Sequence, residues 1–359
     1  VIDEAHNIKK EGGNWAKAAL ELGKLSKFKV ILTGTPRPNQ HRDFYNYLDF
    51  LYGKNKILSK NDKAKIEVLV KRNNLKDADK ILKENIKPFY VRVTKKDLCL
   101  SKPNFNLPTL IQMNPIEKKI HDEIFSKMQN FSLKKYKKNI DIIKKIKKAR
   151  MIRLRQNCSY VKNLLKVIPY EIKDGDENLI DEENMIDLIK SYDRQEKPAK
   201  IYYLKSLVLP LVRNNKKAIV WSTHLKTIDL IKKELLNEGV NAKVITGKTE
   251  LDIRENIKDE FNDKNSNLDV IVALPKACSE SISLHKACQN AIYYDQDYNT
   301  AEFLQSLDRI HRVGGSEENP VYYDFLQYRN TIDEKIYKRV FEKANMQMKV
   351  IEEDNLIFD

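Results

Sequence analysis

From Lys216 onward the chain alternates short apolar runs with longer segments of helical pattern, and few folds accept that rhythm. The runs are strand-length: Ala218 to Trp221, Ala242 to Ile245, Leu268 to Leu274, Ala291 to Tyr294 and Val321 to Leu326. Helices are predicted between them from about Leu225, Glu250 and Thr300, with Gly239 closing the first and a last helix opening at Thr331. Thr249 with Asp252, and Thr331 with Glu334, stand at capping-box spacing, and Ile253, Ile257 and Phe261 recur on one helical face. This alternation reads as a parallel α/β sheet.

The first residues follow the same grammar in shorter form. Val1 and Ile2 end a strand, a helix lies near Trp15 to Leu25, and Lys29 to Leu32 is a second strand. Between the two α/β parts, about Ile116 to Leu165 reads as helical, with Ile142, Ile146, Ala149 and Ile152 as a narrow apolar stripe. Leu133 to Arg155 holds eleven Lys or Arg against one Asp, Asp141. That face is either solvated or turned to nucleic acid, and Lys144, Lys145, Lys147 and Lys148 are the candidates for contact. The acidic stretch Glu171 to Glu183 reads as a linker. The expected domains are 1–112, 113–195 and 196–359.

A chain of 359 residues accommodates two cores. Its net charge of +15 suits a polyanionic partner, although a Lys-rich composition also follows from nucleotide bias. No stretch approaches the roughly 18 to 20 apolar residues of a membrane span. The four cysteines, Cys99, Cys158, Cys278 and Cys288, show no metal-type spacing and suit a reducing compartment, cytoplasmic or nucleoid-associated.

Three groups of residues carry chemistry. Asp3-Glu4-Ala5-His6 sets two carboxylates at the end of a strand, where open α/β sheets hold ligands. Such a pair suits nucleotide hydrolysis, one acid holding Mg²⁺ through water and the next polarising the attacking water. Leu32-Thr33-Gly34-Thr35-Pro36 follows the next strand, and its Gly and hydroxyls suit contact with a phosphate. Gln305, Arg309 and Arg312, at i, i+4 and i+7 after Thr300, are expected on one helical stripe, which suits either a solvated face or recognition of a γ-phosphate.

In this order, with Asn39, the three groups resemble motifs II, III and VI of superfamily-two helicases of the DEAH-box kind. Arg309-Ile310-His311-Arg312-Val313-Gly314 is similar to the D-R-x-H-R-x-G signature of Swi/Snf-type ATPases, and Leu154-Arg155-Gln156-Asn157-Cys158 to their L-R-Q-x-C helix. Phe89 to Arg92 with Lys95-Lys96-Asp97, Ile219 to Ser222, and Thr331 to Ile336 match further segments of that family. The resemblance implies two RecA-like lobes with parallel sheets, the first incomplete, plus helical insertions. It also implies an ATP- and Mg²⁺-dependent motor moving on double-stranded DNA. Asp3 would orient Mg²⁺, Glu4 serve as general base and His6 couple the lobes. Gly34, Thr35 and Gln305 would attend the nucleotide, Ser222 the nucleic acid, and Arg309 and Arg312 the γ-phosphate.

Three departures from the family pattern matter. Its Gly-rich motif V is Ala277-Cys278-Ser279-Glu280-Ser281-Ile282-Ser283-Leu284 here, and its G-Q after the second arginine is Gly314-Gly315. No G-x-x-x-x-G-K-[ST] string occurs, and Gly12-Gly13 lacks the Lys-Ser/Thr that contacts phosphate and magnesium. The expectation is a fragment beginning at motif II, inactive by itself. Two other readings stay open: a strand-separating helicase, or a non-hydrolysing DNA-binding regulatory module that keeps the fold.

Overall fold

The computed structural model describes residues 1–8, 11–33, 43–72, 74–86, 97–129, 140–165, 183–278, 282–317 and 319–352. It divides into two compact units, Val1–Thr94 with Asn345–Asp359, and Lys95–Ala344.

In the first unit, the strand expected over Lys29 to Leu32 is reduced to one parallel bridge between Ile2 and Ile31. The Ile2 amide donates to Val30 O at 2.9 Å, and the Leu32 amide donates to Ile2 O at 2.8 Å. Four helices follow: α1 (Asn14–Leu25), α2 (Asp43–Tyr52), α3 (Lys60–Lys71) and α4 (Leu75–Ile86). Ala16, Ala19 and Gly23 line the buried face of α1. A Cβ at Gly23 would lie 3.0 Å from the Phe50 ring of α2, so the absent side chain permits the approach. Trp15, Leu22 and Leu25 of α1 are exposed, as is Phe28. Ser59 and Asp62 close a capping box at the start of α3.

The second unit is built on a parallel sheet. Its elements are β1 (Asn104–Phe105), β2 (Thr109–Ile111), α5 (Pro115–Gln129), α6 (Ile140–Ser159), α7 (Glu183–Gln195), α8 (Ala199–Arg213), β3 (Lys217–Trp221), α9 (Leu225–Leu236), β4 (Ala242–Ile245), α10 (Leu251–Asn262), β5 (Val270–Ala273), β6 (Cys288–Tyr293), α11 (Thr300–Leu307), β7 (Tyr322–Tyr328) and α12 (Ile332–Glu352). The order across the sheet is β1-β7-β6-β3-β5-β4, with β2 also on β7 and every pairing parallel. Every residue of β3 and β5 is buried, which is why these strands read as unbroken apolar runs. Residues 104–111, expected at the end of the first domain, are hydrogen bonded along β7 of this second sheet.

Two helix starts differ in detail from the capping boxes expected. Glu250, not Thr249, is the N-cap of α10, and no side chain caps it. The Thr249 hydroxyl instead accepts the Thr246 amide at 3.0 Å. At α12 the Thr331 hydroxyl accepts from the Asp333 amide at 3.2 Å, while the Glu334 carboxylate accepts from Asn330, one residue outside the box.

A buried polar seam joins the helices to the sheet. Lys200 has no exposed surface; its Nζ donates to Asp333 at 2.6 Å and to the Tyr294 carbonyl at 3.1 Å. Glu117 of α5, also fully buried, accepts from the amides of Asn114 and Ala199, each at 3.1 Å, and from the Tyr328 hydroxyl at 2.5 Å. Burial pushes the Glu117 carboxyl up to about 7 from an ordinary 4.5, against these bonds, which favour the ionised form.

A carboxyl raised in this way keeps a proton in the folded chain that the unfolded chain has already released. Its contribution to stability is therefore lost as pH rises through the interval from about 4.5 to about 7. Glu117→Gln, neutral throughout, is expected to flatten that part of the pH profile. Calorimetric midpoints near pH 5 and pH 8 should fall further for the wild type than for the variant; equal falls in both would contradict the assignment.

Candidate functional site

The bridge between Ile2 and Ile31 delivers Asp3 and Glu4 to the end of their strand. The Ala5 amide then bonds to Leu32 O at 3.0 Å, and Asn46 of α2 donates to Ile8 O at 3.0 Å, holding the turn Ala5–Ile8 from both sides. Asp3 is exposed, and its Oδ1 accepts the Glu4 amide at 2.8 Å. Glu4 has φ of +50°, a left-handed conformation costly for a residue with a Cβ. Such strain is stored where surrounding contacts fix a chain reversal, and here it falls on the second carboxylate residue of the pair. An exposed carboxylate with Oδ2 outside its one hydrogen bond fits a hydrated magnesium ion.

The arginine segment departs from the single helical stripe expected. Helix α11 ends at Leu307, so Gln305 is helical but Arg309 and Arg312 lie in the turns beyond it. Side chains capture the carbonyls that a continuing helix needs: Arg309 Nε takes Gln305 O at 3.0 Å, Tyr323 takes Leu307 O at 2.8 Å, and Arg312 Nε takes Asp308 O at 2.7 Å. Arg309 is buried, and its Nη1 also donates to Ile282 O at 3.0 Å. Arg312 is half-buried, and its Nη1 donates to the Ser283 hydroxyl. The Leu284 amide returns a bond to Arg309 O at 2.8 Å.

The two glycines after Arg312 sit against this loop. Gly314 has φ of +88°, and a Cβ on Gly315 would fall 2.2 Å from His285 O. Burial, with Arg312 and Lys286 nearby, holds the His285 imidazole below its ordinary value.

Ser222, expected to meet nucleic acid, has no exposed surface; its hydroxyl donates to Asp295 at 2.7 Å. Asp295 is the residue that sequence reasoning missed. It sits two residues beyond β6, and its carboxylate also accepts from Ser159 Oγ at 2.6 Å, the Thr223 amide at 2.7 Å and the Thr223 hydroxyl at 2.6 Å. Burial alone would raise this carboxyl, but His224 and the four donors more than offset it, leaving the carboxyl below its ordinary value. An acid just past the apolar run Ala291 to Tyr294 was the signal available. The adjoining Arg155, from the L-R-Q-x-C segment, pairs with Asp297 at 3.0 Å.

Gly34, Thr35, Pro36 and Asn39 lie outside the described residues, as do residues 279–281 and the side chains of His6, Lys144, Lys145 and Lys147. Lys148 is exposed near the buried end of α6. Among the described residues, no helix is long and apolar enough to cross a membrane.

Comparison with known proteins adds two domain matches. Residues 1–167 match the SNF2-related domain, and residues 199–314 match the helicase conserved C-terminal domain. An "Uncharacterized ATP-dependent helicase MG018" of Mycoplasma genitalium is 27% identical over 99% of this chain and 31% of its own length. The "ATP-dependent DNA helicase DDM1" of Arabidopsis thaliana is 25% identical over 98% of this chain and 45% of its own length. The chain thus spans less than half of either relative. A solved structure of the C-terminal part of the Fun30 ATPase domain, 20% identical, covers 71% of this chain and 99% of that one, with a TM-score of 0.49.

Asp295 gathers four donors into one carboxylate, so turning one oxygen into an amide nitrogen opposes donors with donors. Asp295→Asn is expected to lower unfolding free energy by about 3 kcal/mol, and Ser222→Ala by about 1 kcal/mol. Urea midpoints at neutral pH check both; equal small losses would remove Asp295 from its central position.

Proposed function

An SNF2-related domain followed by a helicase conserved C-terminal domain makes this chain one of the Swi/Snf helicase-like type, and from that premise we propose that it is the motor part of an ATP-driven translocase on double-stranded DNA. The observation that carries the reading is the carboxylate pair held at a strand end, with the Glu4 backbone in a left-handed conformation. Arg312, with guanidinium donors uncommitted among the described residues, supports it from the second unit.

In this reading Asp3 would hold the magnesium that accompanies ATP, through water, and that ion would supply positive charge against the phosphates. Glu4 orients and deprotonates the attacking water. Arg312 donates charge-assisted hydrogen bonds to the γ-phosphoryl oxygens as negative charge spreads over them. Arg309 acts beside it by fixing the loop at Ile282. The family resemblance gives His6 a role in coupling ATP turnover to movement. A regulatory module without hydrolysis is the second reading, and the side chains replacing glycine in residues 277–284 favour it.

The chain spans less than half of the relatives it matches, so the assay compares it with the protein expressed from its whole reading frame. In the latter, duplex DNA is expected to stimulate ATP hydrolysis. Glu4→Gln and Arg312→Ala should each lower turnover by about 10³-fold while leaving DNA binding nearly intact. Turnover near normal in both variants would favour the regulatory module. Strand displacement on a forked duplex would favour the strand-separating helicase.

The basic helix gives a separate expectation. Reversing charge at Lys144, Lys145, Lys147 and Lys148 should weaken duplex binding and shallow its dependence on salt, because fewer counterions are released. An unchanged slope of log affinity against log salt would leave the helix merely solvated.

A further inference from the structure

The segment that stands for the family's glycine-rich loop is not loose at its second half. Ile282 and Leu284 are fully buried, while Ser283 between them is half-buried. The Ser283 carbonyl accepts from Asn262 Nδ2, at the end of α10, at 2.8 Å. Arg309 secures Ile282 O and Leu284 N on either side. The Ser283 hydroxyl is thus held by its own backbone at a defined point, and Arg312 Nη1 donates to it. Together with Nε on Asp308 O, this engages two of the five guanidinium donors, on two different nitrogens. A planar group fixed at two nitrogens has little rotation left. The remaining three N–H groups make no hydrogen bond among the described residues, and the side chain is only half-buried.

We infer that Ser283 is a positioning residue for Arg312, its hydroxyl aiming the guanidinium so that the three uncommitted donors meet the transferring phosphoryl group. The inference rests on the proposed hydrolytic function. A freely rotating arginine loses side-chain entropy on meeting the transition state, whereas one already aimed does not, so the contact acts on turnover rather than on ground-state ATP binding. Asn262 supports the same contact from behind, through the Ser283 carbonyl.

Steady-state DNA-stimulated ATPase of the protein from its whole reading frame tests this with Ser283→Ala, Ser283→Thr, Asn262→Leu, Arg312→Lys and the double variant Ser283→Ala/Arg312→Lys. Ser283→Ala is expected to lower kcat about tenfold with KM for ATP within about twofold, and Ser283→Thr, which keeps the hydroxyl, to retain wild-type turnover. Asn262→Leu should show a smaller loss of the same kind. On the Arg312→Lys background, Ser283→Ala should cost no more than about twofold, because the partner it aims is gone. An equal loss on both backgrounds would make Ser283 a structural part of the loop, and unchanged or raised turnover in Ser283→Ala would overturn the inference outright. If Ser283→Ala does not fold, failure of Asn262→Leu to lower kcat overturns it instead. Failure of the parent reading looks different: wild-type protein without ATPase, or Arg312→Lys without effect, removes the function or the arginine assignment along with the inference.

Discussion

The ion pair of Lys200 and Asp333 constrains everything else in the second unit. A lysine with no exposed surface loses its hydration, and a partner at 2.6 Å compensates only if the remaining donors and acceptors are also satisfied. They are: Lys200 also meets Tyr294 O and lies 4.9 Å from the Tyr328 ring, and Asp333 accepts the Tyr328 amide at 3.0 Å. One charge pair therefore ties the start of α8 and the start of α12 to the ends of β6 and β7. Glu117 extends the seam to α5, so the helices preceding α8 belong to the sheet's own architecture and are not an appended module.

The site inherits its geometry from this seam. Tyr294, whose carbonyl Lys200 grips, is followed at once by Asp295, and Asp295 gathers Ser159, Ser222 and Thr223 around the ends of β3 and β6. In a parallel sheet that end is where ligands are handled. Three residues bonded there to one carboxylate leave little freedom for the loops they anchor. The arginine segment uses a different device. Its side chains consume the carbonyls of the preceding helix turn and of Ile282, which turns a helical stripe into a compact knot of loop.

Much of this was legible in spacing alone. The unbroken apolar run at Ala218–Trp221 corresponds to β3 almost residue for residue, because a doubly covered strand admits no polar side, whereas Ala242–Ile245 is the edge strand β4 and keeps Lys243 partly exposed. Helix ends were less legible. Period and propensity continue past Leu307, but Tyr323, Arg309 and Arg312 take the carbonyls that a further turn needs. Thr249 had a capping residue's chemistry but spent its hydroxyl on Thr246. The family resemblance makes Ser222 a contact residue, and nothing local announces a carboxylate 73 positions away as its partner. For the same reason residues 104–111 were assigned by chain order to the domain before them, although their hydrogen bonds run to β7.

Gly315 stands where the family pattern has a Gln, and one contact decides what that position admits. The loop that carries glycines in the family pattern bears side chains here, and Gly314 and Gly315 lie against its end at His285. The His285 carbonyl occupies the volume that a Cβ at 315 would need, at 2.2 Å from it. A Gln at 315 has no room until His285 withdraws, and its neighbours Ser283 and Leu284 carry the bonds to Arg312 and Arg309. A substitution towards the family consensus, ordinarily the safest kind, would at this position wedge the arginine segment away from the loop that holds it.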